Sequence, residues 1–288
     1  MDSKGRVSFE RTSGKNTRMV NTAKLQALES KLKGFFSPVL AFSGGVDSRF
    51  LAHVMHRANI EFMAVHITGE HVPRAESAKA LKWLQTHHIP YRALRLSPLS
   101  VPEIAANDKA RCYHCKRLLF ATIQEMVACN DGKGPQPTIL DGTNASDLCE
   151  YRPGLKALKE LGIVSPLALC SITKEDVREL AIETGMEHAD QPATPCLLTR
   201  FSYGTAPDEQ MLQQVEDCEN ALKRYGLQNF RVRILDDGSQ VLQISSAEKG
   251  MLHKHHVAIE DTLRRVGFEA VQIHCTEKVS GFHDKRSE

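Results

Sequence analysis

Short apolar runs alternate with longer amphipathic runs along the first two thirds of the chain. The short runs have the length of β-strands and lie at residues 39–42, 62–66, 91–96 and 138–140. The longer runs repeat at helical spacing and lie at residues 47–58, 74–86, 110–128 and 174–184. Strands that alternate with helices are typical of a parallel sheet covered on both faces. The pattern therefore predicts an α/β fold built on a doubly wound parallel sheet.

After Gly204 the order of the elements changes. The predicted elements there are helices at residues 208–225 and 247–266 and strands at 230–235, 240–244 and 270–274. The first two strands flank an Asp-Asp-Gly-Ser turn, which is a hairpin signal. This order predicts a second, smaller α+β domain.

The chain is thus predicted to fall into three parts. Residues 1–20 are polar and are expected to be a flexible lead-in. Residues 21–204 are expected to form the main domain, and residues 205–288 the smaller domain, with roles in substrate binding and oligomerisation.

Composition narrows the class of protein. The 288 residues are 41% hydrophobic, carry a net charge of +2 and contain no apolar run of about 18 residues. We therefore expect a cytoplasmic enzyme with no membrane segment, no secretory signal and no nucleic-acid partner. The eight cysteines are scattered, which favours free thiols and a metal or cluster site over a disulfide framework.

A glycine turn joins the first predicted strand to the first predicted helix. It reads Ser43-Gly44-Gly45-Val46-Asp47-Ser48. Adjacent glycines expose backbone N–H groups at a helix start, the two serines add hydroxyl donors, and Asp47 is placed to hold Mg²⁺ near phosphates. The alternative is a turn that only caps the helix. The loop lacks the Gly-Lys-Ser/Thr ending of the common P-loop, and it resembles the pyrophosphate loop of the N-type ATP pyrophosphatases, which implies ATP cleavage to AMP and pyrophosphate.

A second loop is expected to border the nucleotide pocket. Gly142 and Asn144 follow the strand predicted at residues 138–140. Asp147 and Glu150 are predicted to orient Mg²⁺ or Arg152, although a plain turn explains such residues equally well.

Three cysteines form the second candidate site. Cys112 and Cys115 are separated by two residues at a predicted helix start, where the helix dipole and neighbouring basic residues favour thiolates. Cys196 is the candidate third ligand. The other five cysteines are interpreted as small buried residues, with Cys149 the least certain of them.

Four segments together resemble the LarE family of ATP-dependent sulfur transferases, over about residues 25–275. They are SGGVDS, RCYHCK, DGTNASDLCEYRPGLKALKELGIVSPL and PCLLTRFSYGT. The resemblance implies that the enzyme adenylates a carboxylate of pyridinium-3,5-biscarboxylic acid mononucleotide and inserts sulfur, giving a thiocarboxylate for a nickel-pincer cofactor. It also implies that Cys112, Cys115 and Cys196 hold a 4Fe–4S cluster whose fourth iron carries the sulfide. Two alternatives stay open: Cys196 gives up its own sulfur, or the cysteines bind zinc with His114.

Three arginines are candidates for the substrate. Arg231 and Arg233 alternate with apolar residues, so both lie on one face of a strand, and the resemblance implies a phosphate site there. An exposed basic strand face is the alternative. Arg200 is predicted to neutralise a phosphate, stabilise a thiolate or form a surface ion pair. The next strand has Gln243 where the family pattern has an acidic residue, which leaves the identity of the acceptor open.

The function predicted from the sequence is therefore an ATP-dependent sulfurtransferase that needs ATP, Mg²⁺ and a 4Fe–4S cluster and acts on a small nucleotide. We expect it to form a homo-oligomer. The alternatives are a tRNA-thiolating enzyme with the same loop and a non-catalytic protein that binds nucleotide and metal.

Overall fold

A computed structural model describes residues 10–128, 135–150, 152–277, 279, 282 and 283, with side chains from residue 21 onward. Within these residues the helices are α1 (Glu10–Lys33), α2 (Val46–Arg57), α3 (Arg74–Thr86), α4 (Pro102–Ala105), α5 (Arg111–Ala128), α6 (Gly154–Glu160), α7 (Pro166–Leu169), α8 (Lys174–Glu183), α9 (Glu209–Lys223) and α10 (Lys249–Arg265). The strands are β1 (Val39–Ala41), β2 (Met63–Thr68), β3 (Tyr91–Arg95), β4 (Ile139–Leu140), β5 (Phe230–Ile234), β6 (Gln240–Ser245) and β7 (Val271–Thr276).

The first four strands form one parallel sheet in the order β3-β2-β1-β4. Neighbouring residues of β1 point to opposite faces of it. Leu40 packs in a core with α1, α2, α3 and α8, whereas Val39 packs with Phe120 and Ile123 of α5. Helices thus cover both faces, which confirms the predicted doubly wound α/β fold.

The last three strands form a smaller mixed sheet in the order β5-β6-β7. The predicted hairpin joins β5 and β6, and β7 pairs parallel to β6 after α10. This confirms the second, smaller α+β unit. Its apolar core also takes Ile104, Leu197, Leu198 and Phe201 from before the predicted boundary at residue 204. The segment that contains Cys196 is therefore packed against the smaller unit.

The structure adds elements that the sequence pattern did not predict. Helices α4, α6 and α7 have four to seven residues, too few for a helical period to show. Helix α1 begins at Glu10, inside the predicted lead-in, and is anchored by the fully buried Leu28 and Leu32 one turn apart. Residues 1–9 of that lead-in lie outside the described part.

None of the helices in the described ranges is both long enough and apolar enough to cross a membrane.

Candidate active site

The glycine turn lies at the carboxyl end of β1, where parallel sheets bind their ligands. Gly44 has a φ of +81°, and an added Cβ would stand 2.6 Å from the Cβ of Ala80. Gly142 crosses the turn so closely that its Cβ would stand 3.0 Å from the backbone nitrogen of Ser48. Glycine at both positions lets three backbone segments meet at one point.

The amino end of α2 is open toward this point. Its first residue follows Gly45, and no side chain caps it. The hydroxyl oxygens of Ser43 and Ser48 are 3.2 Å apart, and the Ser43 hydroxyl accepts from the backbone nitrogen of Gly45 at 3.3 Å. Uncapped N–H groups, the helix dipole and two hydroxyl groups are the donors that phosphate oxygens need.

Asp47 is held by two groups from other elements. Lys174, in the first turn of α8, forms an ion pair with its Oδ2 atom, and the Asn144 side chain donates to its Oδ1 atom at 3.3 Å. Sequence reasoning missed Lys174, because it lies 127 residues from Asp47 and its local pattern only marks a helix start. The pair places one cation and one carboxylate beside the phosphate-binding donors.

A lysine beside the cysteine pair reaches the same edge of the sheet. Lys116 of α5 donates to the carboxylate of Asp141, after β4, at 3.3 Å. Asp141 is 4% exposed and also accepts from the hydroxyl groups of Thr143 and Ser165, at 2.6 Å each. The start of the cysteine helix is thereby connected to the loop that borders the glycine turn.

The carboxylates predicted to orient Arg152 do so. Arg152 lies 2.8 Å from Asp147 and 2.9 Å from Glu150. Asp147 also closes a capping box with Asn144.

The structure brings the three candidate cysteines into one neighbourhood. Cys115 and Cys196 pack against the same apolar core, and Cys112 lies on the exposed side of α5. Burial raises the pKa of Cys115, and the charges of Cys196 and Cys112 raise it further. Burial also raises the pKa of Cys196, against the opposing effect of Arg111. Burial therefore favours the protonated form of Cys115 and of Cys196, and a metal bound there would take the place of the protons.

Four arginines surround the segment at residues 193–199 and each donates to its backbone carbonyl groups. We call Arg111, Arg200, Arg231 and Arg233 the arginine cluster. The donor–acceptor distances are 2.8 Å from Arg231 to Ala193, 3.0 Å from Arg200 to Pro195, 3.3 Å from Arg200 to Cys196, 3.0 Å from Arg111 to Leu198 and 2.6 Å from Arg233 to Thr199. Guanidinium groups therefore fix the backbone on both sides of Cys196.

The cluster contains more positive charge than its acidic partner balances. Glu219 pairs with Arg200, and the charges of Glu248 and Glu76 also act on Arg231. Burial, together with the charge of neighbouring arginines, lowers the pKa of Arg231 to about 10 and of Arg233 to about 9. A buried excess of cations is a site that an anion would stabilise.

Two sequence interpretations of these arginines are wrong. Arg200 is 0% exposed, so its ion pair is buried rather than on the surface. Arg233 is 4% exposed and donates to the side-chain oxygen of Gln243 at 2.9 and 3.0 Å, so β5 does not carry an exposed basic face. Gln243 thus supplies the acceptor for Arg233 at the place where the chain departs from the family pattern. Arg231 is half-buried and is the member of the pair nearer to solvent.

We predict that Glu219→Gln destabilises the fold by about 3–5 kcal/mol, because the Arg200 guanidinium would stay buried without its charge partner. Glu219 accepts two bonds of 2.9 Å from Arg200 and one of 3.0 Å from the backbone of Val232. Urea unfolding measures the change. The matched control is Glu209→Gln on the same helix, which is exposed and is expected to change stability by less than about 0.5 kcal/mol. Equal unfolding midpoints for the two variants would contradict the prediction.

His71 contacts the cysteine segment from the other side. Its carbonyl accepts from the backbone nitrogen of Leu197 at 2.8 Å, and its buried Nδ1 atom has no hydrogen-bond partner among the described residues. Burial lowers the pKa of His71 to about 4. Because the unfolded chain binds this proton near pH 6.5 and the folded chain does not, stability should fall as the pH drops from 6.5 to 4, by about 3 kcal/mol. The pH dependence of urea unfolding should be shallower in His71→Leu by this amount, and parallel curves would refute the prediction.

The arrangement of the side chains limits which metal site the protein could form. Among the residues that the structure describes, no group of three or more His, Cys, Asp or Glu side chains is arranged to hold a metal ion. Zinc would need Cys112, Cys115, Cys196 and His114 to converge on one ion. A 4Fe–4S cluster takes each thiolate on a different iron, so its ligands stand further apart, and three cysteines in one neighbourhood are the donor set that it uses.

A cavity of about 300 Å³ lies between the loop after β2 and helix α9. Its lining includes Glu70, Glu209, Glu216 and Arg95, and none of the predicted site residues.

Comparisons with known proteins give three relatives, while no family model matches the chain. An uncharacterised protein of Synechocystis sp. is 35% identical over 214 residues, 72% of this chain and 78% of the relative. An uncharacterised protein of Methanocaldococcus jannaschii is 31% identical over 218 residues, 75% of this chain and 82% of the relative. The pyridinium-3,5-bisthiocarboxylic acid mononucleotide synthase of Lactiplantibacillus plantarum is 29% identical over 254 residues, 87% of this chain and 90% of the relative.

Proposed function

We propose that the chain is a sulfur transferase of the LarE type, which activates a substrate carboxylate with ATP and converts it to a thiocarboxylate, as its 29% identity with the L. plantarum synthase supports. The observation that carries the proposal is the position of Cys196. Its segment lies between the Cys-x-x-Cys helix and the arginine cluster, and Lys116 of that helix reaches the loop beside the glycine turn. These contacts support a sulfur donor and an anion site that are connected, through Lys116 and Asp141, to a phosphate site at the glycine turn.

In the first step the substrate carboxylate attacks the α-phosphorus of ATP. The open end of α2 and the hydroxyl groups of Ser43 and Ser48 would hold the β and γ phosphates. Asp47 would hold Mg²⁺, and Lys174 would turn from Asp47 to the departing pyrophosphate. The substrate carboxylate is itself the nucleophile, so the protein has to supply only positioned charges for this step.

In the second step a sulfur nucleophile attacks the acyl carbon of the adenylate. A carbon–sulfur bond forms, the bond from the acyl carbon to the AMP oxygen breaks, and AMP leaves with the electron pair. Cys112, Cys115 and Cys196 would hold the cluster, which supplies exchangeable sulfur when bound. The backbone contacts of the arginine cluster keep Cys196 in place during this attack.

The charge of the arginine cluster supports an acceptor that carries several negative charges. Arg200 and Arg233 are committed to protein acceptors, whereas Arg231 is half-buried and is the group that a substrate would reach. Pyridinium-3,5-biscarboxylic acid mononucleotide, with a phosphate and two carboxylates, is the acceptor we propose, in line with the name of the L. plantarum relative.

The function is tested by incubating the protein anaerobically with ATP, Mg²⁺, this acceptor and sulfide. We expect AMP, pyrophosphate and a thiocarboxylate, identified by mass spectrometry, with pyrophosphate release that depends on the acceptor. Pyrophosphate release at the same rate with and without the acceptor, or binding of nucleotide without pyrophosphate release, would contradict the proposal. Strong, salt-sensitive tRNA binding with thiolation of the tRNA would favour the tRNA-thiolating alternative.

The sulfur source is tested on protein reconstituted anaerobically with iron and sulfide. We expect bound iron and sulfide with a cluster absorption band, and we expect Cys112→Ser to lose both, while the exposed Cys149→Ser retains them. Absence of iron with all three thiols intact would overturn the cluster. Loss of one sulfur from Cys196 after a single turnover would instead establish the sacrificial route.

A further inference from the structure

The start of α5 and the segment after Cys196 are joined by buried polar contacts. Asn107 is 0% exposed, and its side-chain nitrogen donates to the carbonyl oxygen of Ser202 at 3.0 Å. The backbone carbonyl oxygen of Asn107 accepts from the backbone nitrogen of Gly204 at 3.1 Å. Asn107 therefore binds the chain a few residues beyond Cys196 through both its side chain and its backbone.

Arg111 adds a second set of contacts between the same two segments. Its guanidinium is bonded to the Oδ1 atom of Asn107 and donates to the carbonyl oxygen of Leu198 at 3.0 Å. The guanidinium carbon also lies 5.1 Å from the centre of the Tyr203 ring. Arg111 is 6% exposed and immediately precedes Cys112. Its contacts therefore link the start of the Cys-x-x-Cys helix to the turn that follows Cys196.

The backbone of Asn107 is adapted to this role. Its φ is +52°, in the left-handed region that asparagine tolerates better than most residues. That conformation ends α4 and turns the chain toward α5 while the side chain stays directed at the segment after Cys196. A loop that only connected two helices would need neither the buried side chain nor its contact with Arg111.

We propose that Asn107 and Arg111 form a latch that sets the position of the Cys-x-x-Cys helix relative to Cys196, so that the sulfur site is assembled only while the latch is closed. Both are positioning residues, because they touch the flanking backbone and not the reacting atoms. The biological meaning rests on the proposed sulfur transfer, whereas the test below measures where the thiols lie.

The test uses the metal-free protein in a Cys112→Ser background and a short bifunctional alkylating reagent. Peptide mapping then quantifies the product in which Cys115 and Cys196 are bridged. Asn107→Gly retains the left-handed backbone and removes the side-chain contacts, and we expect it to lower the bridging rate by about fivefold or more. Arg111→Ala should do the same. Arg111→Lys should lie between, since an ammonium group cannot serve Asn107 and Leu198 as a planar fork does.

Arg117→Ala is the matched control, because Arg117 lies on the same helix, is exposed and contacts Tyr113 instead. It should bridge at the parent rate. In the background with all cysteines, Asn107→Gly should release pyrophosphate at the parent rate and form thiocarboxylate about tenfold more slowly. If Arg111→Ala does not fold, as judged by circular dichroism, Asn107→Gly and Arg111→Lys decide the matter. Parent bridging rates in Asn107→Gly would overturn the latch, and absence of thiocarboxylate from the unmodified protein would instead overturn the proposed function.

Discussion

Asp47→Asn is expected to lower acceptor-dependent release of pyrophosphate by about 100-fold or more, because it removes the anionic oxygen that would hold Mg²⁺. The substitution keeps the size of the side chain and its bond from Asn144, which is 3.3 Å long in the native protein. It removes the charge that Lys174 pairs with. Binding of ATP should weaken less than the rate falls, since the open end of α2 still offers its donors.

A coupled assay for pyrophosphate measures this effect, with sulfide omitted so that only the first step is observed. The matched control is Glu175→Gln, an exposed carboxylate beside Lys174 at the start of α8. This control tests whether loss of any negative charge in this region is enough to slow the release of pyrophosphate. A rate within a few fold of the native rate in Asp47→Asn would show that this carboxylate does not hold the metal.

Cys196→Ser is expected to abolish thiocarboxylate formation, by about 1,000-fold or more, and to leave acceptor-dependent pyrophosphate release nearly unchanged. The first step needs phosphate donors and a metal, which lie at the carboxyl end of β1, whereas the second needs the sulfur site. Serine preserves the size of the residue and the backbone bonds that Arg200 makes to Pro195 and Cys196. The adenylate should therefore form and then be hydrolysed to AMP without sulfur transfer.

The two products are followed in one reaction by mass spectrometry, so the steps are separated in the same sample. Cys149→Ser serves as the control, since its thiol is exposed and donates to the carbonyl oxygen of Ala145 at 4.0 Å. Loss of pyrophosphate release in Cys196→Ser would mean that the two steps share a residue, and that result would contradict the separation of the sites.

The arginine cluster explains why the two steps can be separate in space and still act on one molecule. Arg200 and Arg233 donate to the backbone around Cys196 and to Glu219 or Gln243, and Arg111 donates to Leu198 and Asn107. Their charge nevertheless remains, and charge acts over a longer range than a hydrogen bond. We expect an anionic substrate to be drawn to Arg231 by this field while the cysteine segment stays fixed.

Much of this arrangement follows from the sequence alone. The alternating apolar and amphipathic runs predicted the parallel sheet. The strand before Ser43 placed the glycine turn at the carboxyl end of that strand, because strand, turn and helix start follow one another within about 20 residues. Pairing of Cys112 with Cys115 follows from helical spacing in the same local way. The hairpin of β5 and β6 was marked by its turn residues.

Only the tertiary structure decided what surrounds these residues. Lys174 meets Asp47 across 127 residues and Arg111 meets Leu198 across 87, and no local period encodes such contacts. The burial of Arg200 and Arg233 depends on a core shared by both folded units, so the sequence could not separate a surface pair from a buried one. The sequence by itself determined the sheet, the glycine turn and the cysteine helix, since each is set by neighbours along the chain. The position of Cys196 among four arginines was decided by folding, because it depends on side chains that meet only when distant segments pack together.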